Sequence, residues 1–445
     1  MKCKLINENF GENYGANLLR SRGIEDVEHY LYPLPEYLQS PHNFDSIEEG
    51  ANLLLQNVGK GKKILLIVDS DCDGYTSAST FYQYAKQLAP ETDIEYWLHT
   101  KKQHGLEDHI DRIIASSEKY DLVVLPDSSS NDLEYHERLK EIDTPCLVLD
   151  HHLVDIQLSD NAVVVNNQLS KNYTNKELTG VGVVYQFCRY LDEKTNHNWA
   201  DDYIDLAALG IIGDMGSVLE LENRYIIYEG LRHIRNKFFI ALMEKQAYSI
   251  TGNAAPLWDQ LIDSMNPISV AFYIVPLINA QIRVGTMEEK EKMFEAFIDG
   301  GKLVPSQKRG ANGALVELAE EAARECANSR SRQNRIKDNA VEQLEQKICK
   351  YDLLENKILF VRLEEEDYPP ELNGLIAMQL CARHKRPTIV ARLNEQGYDR
   401  GSARGSSKGE MKSLKEFLQK SGYFEYAQGH DWPANIFTIL LMGYY

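Results

Sequence analysis

Lys63-Ile64-Leu65-Leu66-Ile67-Val68-Asp69-Ser70-Asp71-Cys72-Asp73-Gly74 is the stretch whose reading decides the fold. A short apolar run closed by a turn signal has the pattern of a strand buried on both faces of a parallel sheet. The three alternate carboxylates that follow form a strand-to-helix turn. Leu122-Val123-Val124-Leu125 and Leu147-Val148-Leu149 repeat the apolar pattern, with helix-length segments between the runs. Parallel strands in βαβ units are therefore expected. Each run ends on reactive groups: Asp69, then Asp127, then Asp150-His151-His152. Ligands bind beyond the carboxyl ends of strands in such sheets, so the pattern aims its polar groups at one edge.

Closely spaced aspartates repel one another, and hard divalent cations such as Mg²⁺ and Mn²⁺ prefer oxygen ligands. Asp69, Asp71 and Asp73 together therefore predict a metal. A calcium-binding turn is the alternative, but an EF-hand needs Glu at its twelfth position, and counting from Asp69 gives Thr80. Asp127, in Leu125-Pro126-Asp127-Ser128, repeats the strand-end placement; capping a helix is its plain structural role. His151 and His152 offer one imidazole ligand and a second imidazole for proton transfer or phosphate contact. Asp214 closes the apolar pattern Ala208-Leu209-Gly210-Ile211-Ile212-Gly213, where a buried carboxylate would need a partner and an exposed one would only cap.

The chain has 445 residues, more than one core usually organises, so two domains and a connector are expected. Helices are predicted over residues 203–212 and 224–234. A long helix or helix pair is predicted over 314–349, which is rich in Ala, Glu, Arg and Gln and lacks Pro and Gly. A second α/β unit begins at Lys357-Ile358-Leu359-Phe360-Val361, with a helix over 374–384 and a strand at 388–390. With 43% hydrophobic and 26% charged residues the composition is that of a globular protein. A net charge of −19 argues against indiscriminate nucleic-acid binding without excluding a local basic channel. The seven cysteines are scattered and read as reduced packing residues. No leader and no stretch approaching a membrane span is read, so a cytoplasmic location is the default expectation.

Taken together, the acidic turn, Asp127, the Asp150-His151-His152 triplet and Asp214 resemble the DHH phosphoesterase superfamily, named for that triplet. Further stretches resemble its RecJ branch: Arg22-Gly23-Ile24, Gly180-Val181-Gly182-Val183, Asp214 through Asn223-Arg224, Pro276-Leu277-Ile278-Asn279-Ala280-Gln281-Ile282-Arg283, Arg400-Gly401-Ser402-Ala403-Arg404 and Gln428-Gly429-His430. The resemblance implies an α/β fold. A parallel-sheet DHH catalytic domain with its lead-in (1–310) would be joined by a helical connector (311–350) to a smaller α/β DHH-associated domain (351–445).

It also implies Asp71, Asp73, Asp127, His151 and Asp214 as ligands of two Mn²⁺ or Mg²⁺ ions, with Asp127 bridging them. Asp69 would support them from close by, and His152 would contact phosphate or assist proton transfer. Arg283, Gly401, Ser402, Arg404 and His430 would form the substrate-binding set. The implied activity is 5′-to-3′ removal of mononucleotides from single-stranded DNA in repair, recombination or replication. The implied protein is a monomer, with single-strand-binding protein as a partner.

Several positions depart from the pattern. Ile67 stands where some DHH enzymes carry His, Leu277 replaces an Arg, and Asp431-Trp432-Pro433-Ala434-Asn435 replaces a run of small residues. No oligonucleotide-binding domain is expected after the second unit, which implies a weaker grip on long strands. Two rival readings share the catalytic core: a phosphodiesterase of short oligoribonucleotides or dinucleotides, and a non-catalytic replication scaffold. His99, Lys101, Lys102 and His104 fall where RecJ has a substrate-side loop. Arg330, Arg332, Arg335 and Lys337 either line a nucleic-acid path or form a solvated helix face.

Overall fold

The computed structural model describes residues 13–101, 103–116, 119–154, 159–363, 368–393, 399–405, 413–427 and 437–441. It divides into two units, one of Met1–Ile282 with Thr286–Cys326 and one of Arg283–Gly285 with Ala327–Tyr445.

The first unit is built on a five-stranded, all-parallel sheet. Its chain runs β1 (Lys63–Val68), α1 (Cys72–Leu88), β2 (Asp93–Leu98), β3 (Leu122–Pro126), β4 (Cys146–Asp150) and β5 (Val163–Asn166). The spatial order is β2-β1-β3-β4-β5. β3 and β4 are buried at every residue, and β1 at every residue after Lys63, which explains their unbroken apolar runs. β2 carries exposed and half-buried positions and β5 opens on a half-buried one, so their sequence signal is weaker.

Strand order reverses between β1 and β3, and a crevice opens at such a switch point beyond the strand ends. The register puts the reactive groups in one row there. Leu66 pairs with Val124 and Val124 with Leu147; Asp69, Asp127 and Asp150 each stand three residues farther along.

Helices α2 (Gly180–Thr195), α3 (Ile204–Gly213), α4 (Leu221–Arg232) and α5 (Val275–Val284) follow. α1 packs against both α2 and α3, and α3 against α4. A small antiparallel ladder, β6 (Leu303–Pro305) with β7 (Leu315–Glu317), precedes α6 (Leu318–Lys350). The predicted helical stretch is thus one continuous helix of 33 residues, with its two parts falling in the two units.

The 18-residue helical run Pro267–Val284 corrects one expectation, being long and apolar enough by length and composition to cross a membrane. A core helix passes the same test. Here Val270, Ile274, Ile278 and Ile282 recur every fourth residue and are buried. Half of the run lies in the interior.

The second unit carries β8 (Leu359–Leu363), α7 (Asn373–His384), β9 (Thr388–Leu393), β10 (Asp399–Arg404), β11 (Phe424–Ala427) and β12 (Phe437–Leu441). The sheet order is β11-β12-β10-β9-β8, with only β8 and β9 parallel. Apolar residues of α6, among them Ala340, Val341, Leu344 and Ile348, pack on β8 and α7 to make its core. Among the described cysteines all are free thiols, and only Cys349 is exposed.

Candidate metal centre

The acidic turn folds as it does because α1 begins inside it. Asp71 is the N-cap, its carboxylate accepting from the Gly74 N–H at 3.0 Å. Asp73 lies in the first turn of α1, buried, and its carboxylate accepts from the Gly180 N–H (2.7 Å), the Val181 N–H (3.0 Å) and the Thr179 hydroxyl (3.2 Å). The N-terminus of α2 therefore grips Asp73, a favourable place for an anion. Gly180 is required by closeness as well. A Cβ there would fall 2.2 Å from Asp127 Oδ1.

Asp127 does not cap a helix. It turns the chain in the left-handed region (φ 66°) with its side chain 2% exposed. His151 Nε2 lies 3.2 Å from Asp127 Oδ1, 3.7 Å from Asp214 Oδ2 and 4.0 Å from Asp73 Oδ2. Asp127 Oδ1 has no hydrogen-bond partner despite that proximity. Donor atoms about 3 Å apart with no hydrogen bond between them are spaced like neighbouring ligands on an ion with bonds of about 2.1 Å.

Three overlapping groups each bring donor atoms within 4.8 Å of one another: Asp73, His151 and Asp214; Asp69, Asp71 and Asp127; and Asp127, Asp150, His151 and His152. Carboxylate oxygens, alone or with one or two imidazoles, suit a hard or borderline divalent cation. The buried Asp69 Oδ1, like Asp127 Oδ1, has no hydrogen-bond partner. Burial and its neighbours Asp73, Asp71, Asp69 and Asp214 push the Asp127 carboxyl well above its usual range. Burial and Asp71 push Asp73 up to about 7 against its three hydrogen bonds. Burial also raises Asp69, opposed by His104. Negative charge is concentrated here faster than the protein compensates it, and the residues fit a cation.

Asp150 is different. Its Oδ1 accepts from the backbone N–H of His151 (2.7 Å) and from His152 Nδ1 (2.8 Å), and its Oδ2 from the Ser130 N–H (3.0 Å). Burial would raise this carboxyl, yet His152 and His151 hold it well below the usual range. Asp150 in turn raises His152 to about 10. Both Asp150 oxygens are occupied, so it orients the histidines.

Asp214 is the C-cap of α3 with 39% of its side chain exposed, the capping placement of the two that the apolar pattern left open. The residues after it are structural. Asn223 donates to Glu177 O and Ser217 O, and the Arg224 guanidinium stacks on Tyr30 at 3.5 Å. Buried Glu222, within the same stretch, accepts from Gln39, Tyr173, Asn175 and Gln186. Of the loop after β2, His99 is buried, Lys101 is exposed and Lys102 lies outside the described residues. His104 Nδ1 meets Asp69 Oδ2 at 2.6 Å, a contact that the sequence did not announce.

Arg283, Gly401, Ser402 and Arg404 belong to the second unit, and His430 lies outside the described residues. Gly401 sits where β10 crosses β9 so closely that a Cβ would lie 2.1 Å from Val390 O. Arg404 is only 4% exposed; burial and then the neighbouring Arg283 lower it to about 10. Within its own unit Arg332 donates to Val284 O (2.8 Å) and to Ser329 Oγ (2.9 Å).

Comparison with known proteins decides the family. The DHH family, N-terminal domain, matches residues 63–211. A prophage SPbeta protein of Bacillus subtilis, YorK, provisionally named a single-strand DNA-specific exonuclease, is 38% identical over 435 residues, covering 97% of this chain and 72% of that protein. The chain belongs to the RecJ-like branch of the DHH phosphoesterase superfamily. It is accordingly a hydrolase of phosphodiester bonds. The single-stranded-DNA-specific exonuclease RecJ of Bacillus subtilis is 26% identical over 394 residues, covering 87% of this chain and 46% of RecJ. RecJ from Thermus thermophilus in complex with Mn²⁺ superimposes with a TM-score of 0.66 at 21% identity, over 90% of this chain and 52% of that one. An exonuclease RecJ bound to manganese gives 0.66 at 22% identity and 92% coverage of both chains. This chain therefore spans about half the length of the Bacillus and Thermus RecJ proteins.

Proposed function

We propose that this RecJ-like enzyme is a metal-dependent exonuclease that removes mononucleotides from single-stranded DNA in the 5′-to-3′ direction. The observation that carries the reading is the sharing of donors. Asp127 and His151 each belong to two of the three donor groups, so the set would have donors to share between more than one ion. Asp71, Asp73, Asp127, His151 and Asp214 would hold Mn²⁺ or Mg²⁺, with Asp69 in support. When bound, such ions stabilise charge on the phosphate oxygens and make water a competent nucleophile.

The chain's own residues do the rest. Asp150 keeps His152 cationic at neutral pH and fixes its ring, so His152 contacts phosphate rather than accepting a proton. Thr179 and the first N–H groups of α2 hold Asp73 in place. In the second unit, two like-charged guanidiniums set close together, Arg283 and Arg404, suit a backbone phosphate, which Arg binds without regard to sequence. The names of YorK and RecJ support single-stranded DNA as the substrate.

A long single-stranded DNA labelled at its 5′ end, incubated with Mn²⁺ beside a 3′-labelled control, tests this reading. Early release of 5′-labelled mononucleotide, lost in Asp127→Ala, is expected. Cleavage of dinucleotides alone would replace the reading with a small-substrate phosphodiesterase.

A further inference from the structure

The carboxylate that opens the acidic turn is held from outside the turn. His104 Nδ1 lies 2.6 Å from Asp69 Oδ2, and Asp69 is buried with Oδ1 lacking a hydrogen-bond partner. Asp69 also shares a donor group with Asp71 and Asp127. His104 reaches it from residues 99–109, the loop after β2, the sheet neighbour of β1.

That loop is fastened on several sides. Ser70 Oγ, in the acidic turn itself, donates to Lys101 O (3.2 Å), and Lys290 Nζ donates to Thr100 O (2.9 Å). The Leu106 N–H donates to Asp132 Oδ2 (3.0 Å). Two consecutive residues of the turn, Asp69 and Ser70, are thus joined to one loop, which also exposes Lys101.

We infer that His104 is a positioning residue. By engaging Asp69 Oδ2 it fixes the carboxylate rotamer, keeps Oδ1 available to the centre formed with Asp71 and Asp127, and ties the loop to that centre. A carboxylate free to rotate would spend part of its time turned away, and outer partners of this kind typically contribute tenfold to a hundredfold in metal affinity. The inference rests on the metal-centre reading above but not on the choice of DNA as substrate.

The test is Mn²⁺ binding to the full chain by calorimetry, without nucleic acid, for the native protein, His104→Ala, His104→Gln, Asp69→Asn and the Asp69→Asn/His104→Ala double variant. Melting temperatures and single-strand turnover are measured alongside. His104→Ala should weaken Mn²⁺ about tenfold and lower kcat with little change in KM. His104→Gln, whose amide can still donate to Asp69, should recover most of the loss. In the Asp69→Asn background, His104→Ala should cost nothing further.

Native affinity in His104→Ala would overturn the inference, as would an equal loss on top of Asp69→Asn. So would a loss that tracks melting temperature and is not rescued by Gln. A native protein that binds Mn²⁺ but leaves single strands intact would sink the exonuclease reading and leave this one standing. A native protein that binds no Mn²⁺ would sink both.

Discussion

Neighbouring strand ends along one edge of the same sheet treat their carboxylates in opposite ways. Beyond β1 and β3, Asp69, Asp73 and Asp127 are buried side by side, and burial with mutual repulsion pushes all of them up. Beyond β4, Asp150 is just as buried but is pulled down, because His152, His151 and the Ser130 N–H surround it with donors. The row that the register lays out is therefore divided by chemistry. One part needs a cation that the protein does not supply, and the other has already supplied its own. Burial penalises every charge, and whether a carboxylate becomes a ligand or an orienter depends on what fills its lone pairs.

The sharpest way to break this comparison is to remove the carboxylate that both halves of the cation-seeking region share. Asp127→Ala should lower metal-dependent turnover by about 10³-fold or more, as expected when ion placement fails. Chelation of the native protein with EDTA should do the same. Turnover of the variant within tenfold of native in Mn²⁺ would show that Asp127 is not a shared ligand.

A methyl group should do nearly as much damage from the other side of the same contact. Gly180→Ala would set a Cβ 2.2 Å from Asp127 Oδ1, so the carboxylate or the start of α2 must move. Displacing α2 also loosens the N–H groups that grip Asp73. Mn²⁺ affinity should fall about a hundredfold, the upper end for disrupted ligand orientation. An Ala variant that binds Mn²⁺ normally would mean the α2 terminus is not part of the cradle.

On the compensated side the effects should be smaller. Asp150→Asn keeps the shape but removes the charge that raises His152 to about 10. Turnover should fall about tenfold to a hundredfold. The pH–rate profile should gain a descending limb near neutrality as His152 loses its proton. An unchanged profile would argue that His152 does not act as a cation.

The sequence displayed the cation-seeking side better than its supports. Carboxylates at alternate positions after an apolar run are visible because strand and turn lie within a dozen residues, and the strand ends at Asp127 and Asp150 repeat the signal. The grip on Asp73 was not legible. It comes from backbone N–H groups of α2, and Gly180 announced only a glycine before a helix, not the carboxylate that would collide with a side chain. His104 was legible as a residue of a substrate-side loop but not as a partner of Asp69, which is 35 positions away and reached only through the loop path. Asp214 was legible as the end of an apolar helix, but its burial was not, and the residue one step past the helix emerges into solvent. In the second unit, the Gly401 to Arg404 loop was legible as a motif, but the burial of Arg404 depends on packing that no local pattern encodes.

The finest test of the contrast uses stability alone. Without metal, Asp73 titrates near 7, above its ordinary 3.8, so between those values the folded protein holds a proton that the unfolded chain has released. Stability from this group is fully present below pH 3.8 and is lost as pH rises towards 7. His152, raised from 6.5 to about 10, behaves in the same sense but in a later window, its contribution being lost as pH rises from 6.5 to 10. The melting temperature of metal-free protein should therefore decline in two stages. Saturating Mn²⁺ should abolish the acid-side stage, because ligands must be deprotonated to bind and a loaded Asp73, like the unfolded chain above pH 3.8, holds no proton. Asp150→Asn should erase the alkaline stage and leave the acid one. If Mn²⁺ shifts both stages equally, the two strand ends form one titrating unit and the division drawn between them fails.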